Sequence, residues 1–392
     1  MVRAALIDSR SKLTLVTGIK LSADKINEYL EGIFNPGDTK LPMLQCPITN
    51  HTRYKSLVVP EPWVSGDDHI QYFFALDLRK NLELLPRLIG SIIEVAQFLG
   101  PKHCALSIVE GNSDDGTGEV LQALQPSLEA IGMTYIYKSS NINPAKGDRI
   151  VDLANLRNLA LEPLTDHTSP VSLRVNESTS IIFINDVAIC PDDILELTLQ
   201  RKDLGAHMTC AMDWTYPGDN ALFYDVWIAR TITGDLFFEI PPNGSWDKSW
   251  NIFWSDEATK ARFLAHRPFQ VFSCWNGATV FTARPILEGL RFRGPSKKEC
   301  MQGEPELLCK DLWMRGYDKI AVVSTVNLEY TIEKGKKVKK DKGFVTDLVR
   351  EQDAAGDKIE WLPVPEKVKC MPEHHRQSWE PWNQGFEGVK AN

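Results

Sequence analysis

The sequence predicts an α/β fold built on a mostly parallel, doubly wound sheet. Two observations carry this. From Gln71 onward, short apolar runs of strand length alternate with longer amphipathic stretches of helix length. The run Ser180-Ile181-Ile182-Phe183-Ile184 has four large apolar residues in succession, as a strand buried on both faces requires. It ends in Asn185-Asp186, and Pro191-Asp192-Asp193 then opens a helix, with proline and carboxylates suited to a first turn.

The elements follow in order. Ser22 can cap a helix through Ile26, Leu30 and Ile33, stopped by Asn35-Pro36-Gly37. Residues 36–69, rich in Pro and polar side chains, read as a wrapping segment. Tyr72 to Leu76 is a strand and Leu84 to Phe98 a helix. Ala105 to Val109 is the next strand, and a helix follows through Val120, Leu121 and Leu124. Thr134 to Tyr137 is the third strand. Asp148 to Leu161 is a helix whose apolar face carries Ile150, Leu153, Ala154 and Leu161. After residue 205 the pattern loosens. Ala206 to Met212, Val280-Phe281 and Ala321 to Val323 read as strands. Lys334 to Lys342, with six lysines, reads as a loop or hairpin tip, and the C-terminus as irregular. This gives four segments: 1–69 helical and wrapping, 70–205 the α/β half, 206–335 a second half merged with it, and 336–392 a basic loop and tail.

Composition narrows the function. The chain has 392 residues, 43% of them hydrophobic, which is enough for a large core. A net charge of −8 argues against general nucleic-acid binding, which needs a basic surface. No run of about 18 apolar residues is present, so no membrane span is expected. The eight cysteines include no C-x-x-C and no zinc-type cluster, and their even number permits disulfides. Three N-x-[ST] triplets begin at Asn50, Asn176 and Asn243, at polar positions that favour a secretory lumen.

Several stretches could carry chemistry. Ligands of open parallel sheets bind at the carboxyl ends of strands. Asp186 stands there and could hold a divalent cation, which in turn could hold a diphosphate; capping the next helix is the simpler role. Glu110-Gly-Asn-Ser-Asp114-Asp115-Gly-Thr joins a strand to a helix, and its carboxylates suit ribose or base hydrogen bonding. A capped turn explains the same residues. Arg149 and Arg157 fall within a quarter turn of each other on one helix and could meet a diphosphate. Residues 214–275 hold six of the eleven tryptophans, and aromatic faces pack on pyranose rings. Asp213-Trp214 and Trp275-Asn276 are the candidates there, although any single tryptophan belongs more often to a core. Glu304, in extended backbone ahead of Pro305, could stabilise an oxocarbenium-like charge or cap the helix that follows.

The series F-F-A-L-D-L-R, S-I-V-E-G-N-S-D-D-G-T, L-A-N-L-R-N-L-A-L, F-I-N-D-V, S-C-W-N-G-A and L-L-C-K-D-L-W-M-R-G-Y runs in order between about Gln45 and Tyr330. It resembles the fungal cryptococcal-type α-1,3-mannosyltransferases, glycosyltransferase family 69, which includes capsule-associated proteins. The resemblance implies a glycosyltransferase-A type fold, a GDP-mannose donor, a mannoside acceptor, Mn²⁺ or Mg²⁺, and retention of the α-anomer. It also implies a Golgi type II membrane protein, of which this chain would be the luminal part without its anchor. In these terms Asp186 is the metal ligand. Glu110, Asp114 and Asp115 meet the nucleoside, with Arg79, Arg149, Arg157 and Asn185 also on the substrate. Asp213, Trp275 and Asn276 shape the acceptor side, and Glu304 and Asp213 act on the reacting centre. Asn185-Asp186-Val187 stands where other enzymes of the fold carry Asp-x-Asp, so further metal ligands must come from elsewhere. Gly303-Glu304-Pro305 stands where the family commonly has Ser-Glu-Cys, so Glu304 is kept while the local disulfide is not implied. A lectin-like protein that binds sugar without transferring it is the alternative.

Overall fold

The computed structural model describes residues 21–59, 68–350, 352 and 354–386; the reading of residues 1–20 as helical lies outside them. Four runs form strands β1 (Tyr72–Leu78), β2 (Cys104–Glu110), β3 (Thr134–Ser139) and β4 (Ser180–Ile184). They lie in the order β3-β2-β1-β4, all parallel. Parallel neighbours need crossovers, and helices supply them. Leu85–Leu99 follows β1, Thr117–Ala123 follows β2, Arg149–Leu161 follows β3, and Pro191–Asp203 follows β4.

The sheet continues through β5 (Met208–Thr215), β6 (Leu222–Phe223), β7 (Arg230–Thr231), β8 (Phe269–Ser273), β9 (Ala278–Thr282) and β10 (Ile320–Leu328). Beyond β4 the order is β9-β5-β10-β8-β7, with β6 beside β5, ten strands in one sheet. β9 is antiparallel to both β4 and β5, and β5 and β10 are parallel. The second half therefore extends the first sheet.

Alternation along the buried strands divides the core. Phe73, Ala75 and Phe183 point into one cluster with Trp275, Phe281 and Phe292. Phe74, Leu76, Ile182 and Ile184 point into the other, against Leu88, Ile92 and Ile194 of the covering helices. Both faces are covered, so the strands read as unbroken apolar runs. Each Leu, Ile or Phe among them contributes about 1.5–3 kcal/mol when fully buried.

The helix starts follow their caps. Ser22 accepts from Lys25 N at 3.3 Å and starts the helix Ala23–Phe34, and Asp148 accepts from Ile150 N and Val151 N, both at 3.1 Å.

Two expectations are corrected. Lys334 to Lys342 is no loop: Ile332–Lys342 is a helix capped by Thr331. Ile332, Gly335, Val338 and Lys339 form its buried stripe, a periodicity that the density of charge conceals. Lys339 Nζ lies 2.7 Å from Asp193 Oδ1, with both side chains buried, and Lys342 lies over the Trp214 ring. The C-terminal segment is not irregular either. Strands β11 (Lys367–Glu373) and β12 (Arg376–Pro381) form an antiparallel hairpin.

Three disulfides join Cys46–Cys190, Cys210–Cys274 and Cys300–Cys370, leaving Cys104 and Cys309 as buried free thiols. The first ties the wrapping segment to the loop after Asp186 across 144 residues. Such a closure typically stabilises by about 2–4 kcal/mol. The third fastens the C-terminal hairpin at Cys300, four residues ahead of Glu304. Among the described residues no helix is long and apolar enough to cross a membrane.

Candidate functional site

The carboxyl ends of β1, β4, β5 and β10 open on the same edge of the sheet, and acids gather there. Asp77 lies one residue from the end of β1, Asp186 two residues past β4, and Asp213 near the end of β5. The loop after β6 adds Asp225. The helix Glu304–Met314 adds Glu304 and Glu306 in its first turn, capped by extended Gly303, so Glu304 is itself the first helical residue. Two buried arginines face these six acids. Arg157 Nε is 2.9 Å from Glu304 Oε1, and Arg230 Nη2 is 3.6 Å from Glu306 Oε2.

The balance of charge is strongly negative, and burial raises several of these acids. Asp77 is pushed up to about 6, chiefly by burial, with Arg157 pulling down and Asp186 and Glu304 pushing up. Asp186 is raised by burial against the pull of an Asn81 hydrogen bond. Asp225 is pushed up to about 6 by burial, although Asn276 N donates to it at 3.0 Å. Asp213 is raised by burial and by Asp225 beside it, while the Tyr330 hydroxyl donates to its Oδ2.

Arg157 is held by aromatic faces as much as by charge. Its guanidinium lies 4.5 Å from the centre of the Trp275 ring and 5.6 Å from that of Phe183. Its Nη1 and Nε are buried with no well-aligned hydrogen bond, the 2.9 Å contact to Glu304 included. Trp275 Nε1 donates to Asn185 Oδ1 at 3.0 Å, which ties Asn185 to the same cluster.

The sequence-predicted residues divide by environment. Asp186, Asn185, Arg157, Trp275, Asn276, Asp213 and Glu304 come together. Trp275 and Asn276 lie beneath the site rather than on its surface, at 1% and 0% exposure. Asn276, at φ 52°, donates its amide to Ala211 O and its backbone N–H to Asp225. Asp213 is also fully buried, under Tyr330. In the loop after β2, Glu110 accepts from Asn112 N and Ser113 N. Asp115 accepts from Thr117 and from Leu82 N. Both therefore shape the loop, and Asp114 is the exposed acid, paired with Lys80 at 2.8 Å. Arg79 and Arg149 are exposed at the rim. Arg79 Nη1 donates to Asn143, and Arg149 acts electrostatically on Tyr224.

Four contributors escaped the sequence reading: Asp77, Asn81, Asp225 and Arg230. Asp77 had a signal, an acid near the end of an otherwise apolar strand. Asn81 links the two loops, donating its backbone N–H to Thr117 Oγ1 at 3.0 Å and its amide to Asp186 Oδ2 at 3.1 Å. Asp225 and Arg230 have no local signal, because only the return of their loop against β5 brings them in.

Among the described residues no three His, Cys, Asp or Glu side chains form a metal cage. Asp77 and Asp186 fit a hard divalent cation of another kind, held by one or two carboxylates plus donor phosphates. Both stand at the carboxyl ends of neighbouring parallel strands, Asp77 in β1 and Asp186 just past β4, and the Asn81 amide orients Asp186.

Glu306 offers a separate test of this electrostatic picture. Burial pushes it up to about 8 despite Arg230, and neither of its oxygens has a hydrogen-bond partner. Arg230 is instead held by the carbonyls of Lys369, Val226 and Ala229. A native carboxyl that keeps its proton while the unfolded one loses it destabilises the fold progressively from pH 4.5 to about 8. Glu306→Gln should match the natural protein in urea melts near pH 4 and become increasingly the more stable up to pH 8. If the ion pair dominated, the variant would instead lose stability relative to the natural protein as pH rises.

A cavity of about 800 Å³ lined by Leu57, Gln71, Tyr72, Ser180, Arg201 and His207 opens at the opposite edge of the sheet. Its size alone does not make it the functional centre, since the acids lie at the carboxyl edge.

A family model described as Cryptococcal mannosyltransferase 1 matches residues 71–311. The chain is 35% identical over 319 residues to alpha-1,3-mannosyltransferase CMT1 of Cryptococcus neoformans var. neoformans serotype D, covering 77% of this chain and 68% of that protein. Among solved structures, the chain is similar to S. aureus TarS 1-349, with TM-score 0.39 and 11% identity over 73% of this chain and 68% of that one. It is also similar to mannosyltransferase PcManGT from Pyrobaculum calidifontis in complex with GDP-Man and Mn2+, with TM-score 0.37 and 12% identity over 70% and 63%.

Proposed function

Because this chain belongs to the cryptococcal mannosyltransferase 1 family and is thus a glycosyltransferase, we propose that it moves mannose from GDP-mannose to a mannoside, forming an α-1,3 linkage with retention and with Mn²⁺ or Mg²⁺. The observation that carries this reading is the gathering of Asp77, Asp186, Asp225 and Glu304 around Arg157 at the carboxyl edge, all within the matched residues 71–311. The name of the cryptococcal relative supports the sugar and the linkage.

Asp186 and Asp77 would hold the cation. When bound, the cation supplies positive charge to the donor diphosphate and to the departing nucleotide. The chain's own residues do the rest. Asn81 orients Asp186 through its amide. The loop shaped by Glu110 and Asp115 presents Asp114 and backbone N–H groups to the nucleoside, and Arg79 and Arg149 stand at the rim for the phosphates. Glu304, locked against Arg157, places a fixed negative charge where positive charge develops on the sugar. Asp213 positions Tyr330 and the Asp225 loop on the acceptor side.

The compartment we propose is the Golgi lumen, in fungal glycan or capsule synthesis. Three disulfides support an oxidising lumen, and Asn50, Asn176 and Asn243 of the three triplets are all exposed. Digestion of the secreted-pathway protein with an N-glycosidase should shift its mass, and an unchanged mass would count against it.

The product decides the chemistry. NMR of the glycan made from GDP-mannose and a methyl mannoside should show a new α-1,3 linkage. A β-anomer or another linkage would contradict the proposal, and sugar binding with no product at all would favour the lectin-like alternative.

A further inference from the structure

Most tryptophans of the middle region serve the core. Trp214 and Trp275 are buried at 3% and 1% exposure, and their indole N–H groups bond to Asn327 and Asn185. The loop after β6 behaves otherwise. It carries Tyr224 at 48% and Trp227 at 39% exposure on either side of Asp225. Tyr224 N donates to Asp213 O, and its ring packs 4.9 Å from Tyr330, whose hydroxyl donates to Asp213. The loop also abuts the start of the Glu304 helix, since a Cβ on Gly303 would meet Ile228 Cδ1 at 2.3 Å.

Trp227 is fixed from the other side by the C-terminal hairpin. Its ring packs 4.9 Å from His374, in the turn between β11 and β12. Cys300–Cys370 and the Arg230 Nε bond to Lys369 O fasten that hairpin to the site. Two large rings are thus packed on one side and open to solvent on the other, in the loop that carries Asp225 and abuts the start of the Glu304 helix. Aromatic faces so placed suit the apolar faces of sugar rings, and packing on one side lowers the entropy lost on binding.

We infer that Tyr224 and Trp227, backed by the C-terminal hairpin, form a platform for the acceptor glycan beyond the sugar that receives mannose. This rests on the mannosyl-transfer reading above. It makes acceptor length, rather than donor choice, the property that Trp227 sets.

The test compares Trp227→Ala and Trp227→Phe with the natural protein, using methyl α-mannoside and an α-mannotrioside. Calorimetry without donor reads glycan binding, and GDP release from GDP-mannose reads transfer. Trp227→Ala should weaken trioside binding and raise its KM by about tenfold. The monosaccharide KM, kcat and Tm should stay within about twofold or a few degrees, and Trp227→Phe should restore trioside binding. An equal loss on both acceptors, a loss that phenylalanine does not restore, or no change overturns the platform. If the natural protein binds trioside through Trp227 but releases no GDP, the transfer reading fails and the platform stands. If transfer proceeds regardless of acceptor length in both proteins, the platform fails and the transfer reading stands.

Discussion

Asp186→Asn is expected to abolish transfer, by roughly 10³-fold or more in kcat, while the protein stays folded. Asparagine keeps the size of the side chain and an oxygen for the Asn81 amide now bonded to Asp186 Oδ2. It removes only the charge. Burial raises the native carboxyl, so its ionised form opposes folding. Losing it should leave Tm unchanged or slightly higher in the absence of cation. Loss of activity without loss of stability is what a cation-binding role predicts. The helix-capping alternative does not hold, because Pro191–Asp203 is capped at Cys190, whose N–H donates to Asp193. Near-natural turnover at saturating Mn²⁺ would sink the assignment.

The second large effect belongs to Glu304, and the structure changes how it must be tested. Glu304 is buried at 3% exposure and is paired with Arg157, itself at 7%. Glu304→Gln removes the carboxylate nearest that guanidinium, while Asp77, Asp186 and Asp225 still act on it, so the cost falls at or below about 3–5 kcal/mol, the range typical of breaking a buried pair. A fall in both kcat and Tm is therefore expected, and the single variant cannot separate catalysis from support. The double variant Glu304→Gln with Arg157→Gln can, because it removes both charges together. We expect it to recover much of the lost stability while kcat stays roughly 10²-fold down or lower. Recovery of both would make Glu304 a partner for Arg157 and nothing more.

The first α/β half was legible because its signals are local. Ser180 to Ile184 reads as a doubly buried strand, and Asn185-Asp186 marks its carboxyl end, where open sheets bind ligands. Asp148 and Ser22 announce their helices through side chains that cap them. The rest depends on contacts distant in sequence. Asp225 becomes part of the site only because its backbone N–H reaches Asp213, and Arg230 only because the C-terminal hairpin returns to cover it. The helix Ile332–Lys342 was hidden by its lysines, since Lys339 is buried against Asp193 and contributes to the apolar stripe despite its charge. The tryptophans misled in the opposite sense. Trp275 looked like a sugar-facing residue and supports Arg157 from below, while Trp227, with no motif around it, faces solvent.

One measurement bears most directly on the central claim that the acids at the carboxyl edge serve cation-assisted transfer from GDP-mannose. It is the rate of GDP release from GDP-mannose with a mannoside acceptor, read before chelation, after it, and after Mn²⁺ is restored. Release that requires the acceptor, disappears on chelation and returns with Mn²⁺ is the predicted result. Release at an undiminished rate in the chelated enzyme, or faster release of UDP from a UDP-sugar under the same conditions, would contradict it.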